Sequence, residues 1–158
     1  MKASETHGLT EWRANSTAIA SYLRLGTTGK YTSWNDKDVE KFIPEIDNSF
    51  YVIHRRLKLY RGLDRYQCFD KPVWKMKRGD VIIDKSFVST SLEEAVAEDF
   101  SRGVIMIVNF EKGSKGIFMN TNDDDYHNYQ NEVLLPRDSK FKIKYVDEDE
   151  GLLIVDLI

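Results

Sequence analysis

The chain has 158 residues, of which 41% are hydrophobic and 31% charged, so its size and composition favour one folded domain over a disordered segment. A formal net charge of -3 argues against a basic protein that coats nucleic acid. The single cysteine, Cys68, excludes an intramolecular disulfide, and the widely spaced histidines do not match a structural zinc site, so we expect no metal.

The first 56 residues are predicted to be mainly helical. Apolar residues recur at helical intervals over 9–25. Asn35 or Asp36 can cap a second helix. Pro44 lacks a backbone donor, so it predicts a break followed by a further helix over 45–56.

Residues 57–158 are predicted to be mainly strands, with one helix that opens at the capping-box pattern Ser91-Leu92-Glu93-Glu94 and ends near Phe100. The run 104–108 is continuously apolar, which is typical of a strand buried on both faces. The predicted strands cover 57–62, 81–83, 86–89, 104–108, 132–135, 140–146 and 152–158. Helices followed by strands favour an α+β fold, in a single domain over 1–158.

The predicted strand over 140–146 alternates lysines with apolar residues, so one of its faces should be exposed to water. Its lysines could form a local basic surface on an otherwise acidic chain. No stretch approaches the roughly 18 apolar residues of a membrane span. We expect no membrane association and a cytoplasmic site of action, although a secreted protein trimmed of its signal would look the same.

Two short stretches place polar groups at predicted strand ends. Arg61-Gly62 pairs a guanidinium suited to phosphate with a backbone that a ligand can approach closely. Ser89-Thr90-Ser91 offers three hydroxyls that could orient a carboxylate or a sugar. Alone, the first is also compatible with an exposed turn, and in the second Ser91 could simply cap the next helix.

Two further stretches add an aromatic ring and a carboxylate. Phe100 could stack on a flat heterocycle while Arg102 pairs with a phosphate, but a buried phenylalanine beside a solvated arginine would fit equally well. Strand alternation predicts that Gln130 and Glu132 project from the same face. An exposed polar sheet edge is the alternative interpretation.

The order Arg61-Gly62, Ser89-Thr90-Ser91 and Gln130-x-Glu132 followed by Val-Leu-Leu-Pro resembles the arginine–serine–glutamate clade of mono-ADP-ribosyltransferases. This clade includes Rho-modifying exoenzymes, the enzyme components of binary toxins and phage transferases. The resemblance implies two roughly perpendicular antiparallel sheets flanked by helices, with NAD as the substrate bound in the cleft between them.

The resemblance also implies a role for each matching residue. Arg61 and Arg102 would hold the NAD phosphates, Gly62 would bind the nicotinamide carboxamide, and Phe100 would stack on nicotinamide. Ser89 would orient the catalytic Glu132. Thr90 and Ser91 complete the cofactor-binding motif.

The acceptor is expected to be a macromolecule, either a protein side chain or a nucleic-acid base. Arginine-modifying members of the clade carry a second glutamate where this chain has Gln130, and a neutral amide cannot pair ionically with arginine, which disfavours an arginine acceptor. Tyr126, His127 and Tyr129 lie in a loop that would face the target. Aspartates in the same loop would repel phosphate.

Three classes of function remain open on the sequence alone. They are an ADP-ribosyltransferase acting as a toxin or phage effector, an NAD glycohydrolase, and a non-enzymatic module that binds NAD or a partner. The absence of a recognisable delivery domain makes an antitoxin or a delivery partner a reasonable expectation.

Overall fold

In a computed structural model of the chain, the structure describes residues 7–28, 35–66, 69, 72–119 and 131–158. The helices in these residues are α1 (His7–Leu25), α2 (Asp36–Glu40), α3 (Ile43–Asp47) and α4 (Glu94–Phe100). The strands are β1 (Tyr51–Val52), β2 (Leu57–Asp64), β3 (Val81–Asp84), β4 (Val88–Ser91), β5 (Gly103–Phe110), β6 (Lys115–Phe118), β7 (Glu132–Leu135), β8 (Ser139–Asp147) and β9 (Leu152–Leu157). Over the described ranges, no helix has both the length and the apolarity needed to span a membrane.

The predicted cap and break in the helical part can be compared directly with the structure. The Asn35 side chain accepts the Asp38 N–H at 3.0 Å, and the Asp38 carboxylate accepts the Asn35 N–H at 3.0 Å, which confirms Asn35 as the cap of α2. The break lies before Pro44, because proline occupies the first turn of α3, where its missing N–H has no intrahelical partner to lose.

The helix predicted over 45–56 is wrong beyond Asp47. The Ser49 hydroxyl donates to the Glu45 carbonyl at 2.7 Å as α3 ends. The chain then extends into β1, whose two residues pair with β6. Tyrosine and valine favour strands, and a sheet edge was available to pair with them.

The described strands hydrogen-bond in the order β1-β6-β7-β4-β2-β5-β9-β8-β3. We call the first four strands of this order the β4 half and the last five the β2 half. The two halves meet at β4 and β2, which share a single register pair, Tyr60↔Ser91. The two sheets expected from the resemblance therefore correspond to the two halves of one continuous strand order. Antiparallel sheets were expected, but the β5–β9 pair is parallel.

Two hydrophobic cores hold the sheet together. The larger core draws buried residues from both halves, including Leu59 of β2, Val133 of β7 and Phe141 of β8. The smaller core packs the first three helices against the β4 half, where Trp12 meets Phe87 edge to face with ring centroids 5.6 Å apart.

Strand β5 is not buried equally on its two faces, contrary to the prediction for 104–108. Val104, Met106 and Val108 are fully buried, whereas Ile105 and Ile107 are half-buried. The continuous apolar run therefore forms a strand with one buried face and one partly exposed face.

A buried carboxylate ties the end of α1 to the sheet. Arg24 donates from Nε to Asp84 Oδ1 at 2.9 Å and from Nη2 to Asp84 Oδ2 at 2.7 Å. Asp84 is 6% exposed and also accepts the Ser86 N–H at 2.9 Å. Such two-pronged pairs fix geometry as well as adding energy.

We expect Asp84→Asn to lower the free energy of unfolding by about 2 kcal/mol, because hydrogen bonds to a charged group in a buried setting are lost. Urea unfolding measures the change. Glu111→Gln is the matched control, since the Glu111–Arg56 pair is exposed and 3.3 Å long, and it should cost less than about 1 kcal/mol. Equal losses of unfolding free energy in the two variants would contradict a larger stabilising contribution from the Arg24–Asp84 pair.

Candidate active site

Glu132 lies at the first position of β7, directly opposite Ser91 of β4. Ser91 is in turn opposite Tyr60 of β2. Opposite residues in antiparallel strands project from the same face, with Cβ atoms about 4.5–5.5 Å apart. Tyr60, Ser91 and Glu132 therefore form one row across the joint between the two halves of the sheet.

Ser89 is the diagonal neighbour of Glu132, because its direct partner in β7 is Leu134. Diagonal positions on one face lie roughly 7–8 Å apart, within reach of a long side chain such as glutamate. The serine expected to orient Glu132 is thus on the correct face, and the serine directly opposite Glu132 is Ser91.

Thr90 and Ser91 are buried and their hydroxyls make structural contacts. Thr90 Oγ1 donates to the Val133 carbonyl oxygen at 2.6 Å, across the β4–β7 ladder. Ser91 Oγ accepts the Glu93 N–H at 3.0 Å. These bonds fix the strand end that carries Ser89, and the part of both residues in cofactor binding stays a prediction.

The capping box predicted from Ser91-Leu92-Glu93-Glu94 does not form. Ser91 belongs to β4, helix α4 begins at Glu94, and the capping position is Glu93, which makes no side-chain cap. The Ser91 hydroxyl instead closes a short turn onto Glu93 before the helix starts. Pairing of Ser91 with both neighbouring strands outweighed its local preference for a helix cap.

Arg61 lies on β2 between Leu59 and Leu63, which both enter the larger core. Its Nη1 donates to the Ser89 carbonyl oxygen at 2.6 Å. This bond joins β2 to β4 beside their only register pair among the described residues. A guanidinium carries five N–H donors, and one of those of Arg61 holds this joint.

Gly62 permits a close approach of α4 to β2. A Cβ at this position would lie 2.5 Å from Ser101 N and 2.7 Å from Phe100 C, and closer still to the carbonyl oxygen of Ala97. A larger residue would have to move the backbone of the helix end. The structure therefore gives a packing role to Gly62, and its binding of nicotinamide stays a prediction.

Phe100 is 58% exposed at the end of α4, so the alternative of a buried core phenylalanine is wrong. Arg102 lies two residues further along the chain. Its side chain is exposed, and its backbone is hydrogen-bonded to the end of β2. The Arg102 N–H donates to the Leu63 carbonyl at 3.0 Å, and the Arg65 N–H donates to the Arg102 carbonyl at 3.1 Å. The exposed ring of Phe100 and the guanidinium of Arg102 are therefore attached to a backbone that hydrogen bonds hold in place.

The residue before Glu132 changes the geometry expected for Gln130. Asn131 has φ +42°, in the left-handed region, and β7 begins only after it. Strand alternation therefore does not extend from Glu132 back through Asn131. Gln130 lies outside the described residues, as do the predicted recognition residues Tyr126, His127 and Tyr129.

Sequence reasoning missed two parts of this arrangement. Tyr60 was not assigned a role, although it completes the row with Ser91 and Glu132, because strand register is not visible in the sequence. The second is the contact of Asn131 Nδ2 with Glu93 Oε1 at 2.6 Å, together with the Leu92 N–H bond to the Asn131 carbonyl at 3.1 Å. An asparagine just before a strand was the available signal, since asparagine tolerates the left-handed region.

Three comparisons with known proteins bear on the fold and family. A family model described as ADP-ribosyltransferase exoenzyme matches residues 1–156. Among curated proteins, no sequence matches this chain.

Among the described residues, no group of three or more His, Cys, Asp or Glu side chains is placed to hold a metal ion.

Solved structures with the same fold include several toxins. Plx2a, an ADP-ribosyltransferase toxin from Paenibacillus larvae, is 20% identical with a TM-score of 0.72, covering 96% of this chain and 84% of its own. C3larvin toxin from the same organism is 21% identical with a TM-score of 0.69, covering 100% and 88%. Exoenzyme S from Pseudomonas aeruginosa, solved with human 14-3-3 protein beta and carba-NAD, is 19% identical with a TM-score of 0.68, covering 95% and 69%.

The chain belongs to the ADP-ribosyltransferase exoenzyme family, which confirms the resemblance drawn from its motifs. Its α+β architecture is the ADP-ribosyltransferase toxin fold. Its activity is NAD-dependent ADP-ribosyl transfer, with NAD as the substrate.

The contact at Gly62 gives a test of how α4 is positioned. Gly62→Ala should push the end of α4 away from β2, lower the free energy of unfolding by about 1–3 kcal/mol and speed amide hydrogen exchange in α4. Gly113→Ala is the control, because its Cβ would meet nothing within 4 Å and only its positive φ of 96° opposes it. Unchanged exchange in α4 of the Gly62→Ala variant would contradict this packing role.

Proposed function

We propose that this protein is a mono-ADP-ribosylating toxin whose catalytic carboxylate is Glu132, and that residues 1–158 act as one catalytic domain. The observation that carries the proposal is the convergence of three motifs far apart in sequence. Arg61 bonds to the backbone of Ser89, and Ser89 is the diagonal neighbour of Glu132. The three motifs therefore come together where the halves of the sheet join, with Ser89 and Glu132 on one face and the Arg61 guanidinium bonded to the backbone of Ser89.

Glu132 acts on the bond between ribose C1′ and the nicotinamide nitrogen. When that bond breaks, its electron pair leaves with nicotinamide, and the acceptor atom bonds to C1′ and loses a proton. The transition state carries positive charge on the ribose, as at a glycosidic bond. The Glu132 carboxylate stabilises this charge and accepts a hydrogen bond from the 2′-hydroxyl. Ser89 orients the carboxylate from the same sheet face.

Arg61, Phe100 and Arg102 hold the substrate in this scheme. The two guanidinium groups bind the pyrophosphate, which matches planar, multi-donor cations. Phe100 presents its exposed ring for stacking on nicotinamide. A fixed pyrophosphate and a stacked ring together restrict the reacting bond to one orientation toward the acceptor.

The acceptor is a macromolecule, and we propose that it is not an arginine side chain. Support comes from the neutral Gln130 two positions before Glu132, which cannot form an ion pair with a guanidinium. Recognition of the acceptor is assigned to Gln130 with Tyr126, His127 and Tyr129. An antitoxin or a delivery partner, and a phage origin, stay predictions.

Labelled NAD incubated with cell extract tests the activity and its carboxylate together. We expect ADP-ribose to be transferred to macromolecules, and Glu132→Gln to lower that rate by about 10²–10³, as the loss of one electrostatic catalytic group does. Glu150→Gln, an exposed glutamate in the turn between β8 and β9, is the control and should retain full activity. Undiminished transfer in Glu132→Gln would contradict the catalytic assignment.

The distribution of label separates the remaining classes of function. Nuclease-sensitive label indicates a nucleic-acid base as acceptor, and a discrete protein band indicates a protein acceptor. Hydroxylamine-labile label in that band would overturn the exclusion of arginine. If free ADP-ribose is the only product, the protein is an NAD glycohydrolase and not a transferase. If no product depends on Glu132, the remaining interpretation is a non-enzymatic binding module.

Phe100→Ala separates a ligand-binding role from a structural one. Because the ring is 58% exposed, the free energy of unfolding should change by less than about 0.5 kcal/mol. Loss of stacking should lower kcat/KM for NAD by roughly tenfold to a hundredfold. Tyr66→Ala removes another exposed aromatic ring, 70% exposed, and should leave kcat/KM for NAD unchanged. A large loss of stability with unaltered kinetics in Phe100→Ala would contradict stacking.

A further inference from the structure

Strand β3 ends the strand order, and β8 is its partner among the described strands. Ile143 directs both of its backbone groups toward β3, because its N–H donates to the Asp80 carbonyl at 2.8 Å and its carbonyl accepts the Gly79 N–H at 2.8 Å, so the hydrogen-bonded pairs between the two strands start from Ile143. Such pairs alternate along an antiparallel ladder. The N–H and C=O groups of Val81 and Ile83 therefore point away from β8, toward an edge that no described strand covers.

The side chains of the same two residues are exposed on the outer face of the sheet. Val81 is 48% and Ile83 46% exposed, while Ile82 between them is 2% exposed and enters the larger core. Val81 is opposite Lys142 and Ile83 is opposite Lys140. An aliphatic strip on β3 thus runs beside a row of lysines on β8.

A basic cleft of about 450 Å³ lies at one end of this strip. Its lining residues are Arg78, Gly79, Lys142, Ile143, Lys144 and Asp156. Asp156 accepts from Asn109 Nδ2 at 3.0 Å and lies 3.6 Å from Lys144 Nζ. Three cations face one carboxylate that already has two partners, so the cleft attracts anions.

The backbone around the cleft is fixed by pairing on both sides. The Gly79 N–H donates to the Ile143 carbonyl at 2.8 Å, and the Asp80 carboxylate accepts the Lys77 N–H at 3.0 Å. On β8, the register shifts between Ile143 and Tyr145, so Lys144 lies in a β-bulge. Bulges redirect side chains and are common beside functional sites.

Tyr145 borders the bulge and is 46% exposed. Its hydroxyl donates to Asp147 at 3.2 Å, and this hydrogen bond raises the pKa of Tyr145. The phenol therefore stays protonated and uncharged near neutral pH. It extends the apolar part of the exposed face without adding a negative charge to it.

We propose that the β3–β8 face is a docking site for an extended acidic segment of a partner protein, which adds as a strand along β3. The segment pairs with the backbone of Val81 and Ile83, covers their side chains and places carboxylates against Arg78, Lys142 and Lys144. Strand addition uses main-chain bonds for affinity and side-chain contacts for specificity.

The exposed aliphatic strip favours protein over nucleic acid as the occupant. Phosphodiesters engage lysine and arginine, but they offer nothing that would cover Val81 and Ile83. Protein interfaces combine an apolar centre with a polar rim, which is the arrangement on this face. A second copy of this chain is disfavoured, since pairing β3 with β3 would add another Val81 and Ile83 to this face and no carboxylate to match the lysines of β8.

The test uses a fluorescein-labelled peptide of alternating glutamate and valine, without NAD, so that its result is independent of the proposed catalysis. We expect binding with amide chemical-shift changes centred on Val81 and Ile83. The double variant Lys142→Glu/Lys144→Glu should weaken binding at least about tenfold. Lys112→Glu/Lys115→Glu makes the same charge change at exposed positions near β6 and should bind as the unaltered protein does.

Two further probes distinguish strand addition from simple charge attraction. An alternating glutamate–proline peptide has the same negative charge but lacks half of its N–H donors, and we expect it not to bind. Ile83→Pro removes an outward N–H at a position where edge strands tolerate proline, and it should weaken binding of the valine peptide while circular dichroism shows an intact fold.

Several outcomes would overturn the docking proposal. They are no peptide binding at about 1 mM, which is the weak limit of useful recognition, shifts centred away from β3, and equal weakening in the Lys112/Lys115 variant. Tighter binding of a labelled oligodeoxythymidine would replace the protein partner with nucleic acid. A concentration-dependent dimer in sedimentation that Ile83→Pro abolishes would replace it with a second copy.

Discussion

The arrangement of the candidate active site depends on the joint between β2 and β4. These strands share one register pair, Tyr60↔Ser91, and beside it Arg61 Nη1 donates to the Ser89 carbonyl. One backbone pair would define the relation of two half-sheets weakly, and the guanidinium adds a second point of attachment. The residue that the proposal assigns to phosphate binding therefore also sets where β2 lies relative to the strand of Ser89.

Backbone proximity at Gly62 extends this constraint to α4. The helix end can approach β2 only because no Cβ intervenes, and its chain then returns along β2 through the bonds of Arg102. Phe100 is carried at that turn with its ring in solvent, although a phenylalanine in a small domain is usually buried. Here packing of the helix backbone fixes an aromatic ring whose own side chain contributes little to the core.

Sequence reasoning succeeded where local pattern and tertiary structure agree. The strand over 132–135 was predicted with its observed bounds. Asn35 was one of two predicted caps, with Asp36, and its partner Asp38 lies only three residues away. The pairing of β1 with β6 was missed, because both strands are short and their hydrogen-bond partners are distant in sequence. Ser91 was misread as a cap, since its burial between two strands depends on register, and Gln130 was aligned with Glu132 through an asparagine that leaves the extended region.

The distribution of charge separates the proposed catalytic site from the proposed docking face. Although the net charge of the chain is -3, one face carries the three exposed lysines of β8, which are Lys140, Lys142 and Lys144. Strands β2, β5 and β9 lie between that face and the strand of Ser89, so its cations do not neutralise Glu132 at close range. A partner held at the β3 edge would therefore leave the electrostatics of the proposed ribose site intact, which allows docking and transfer to be altered by separate substitutions.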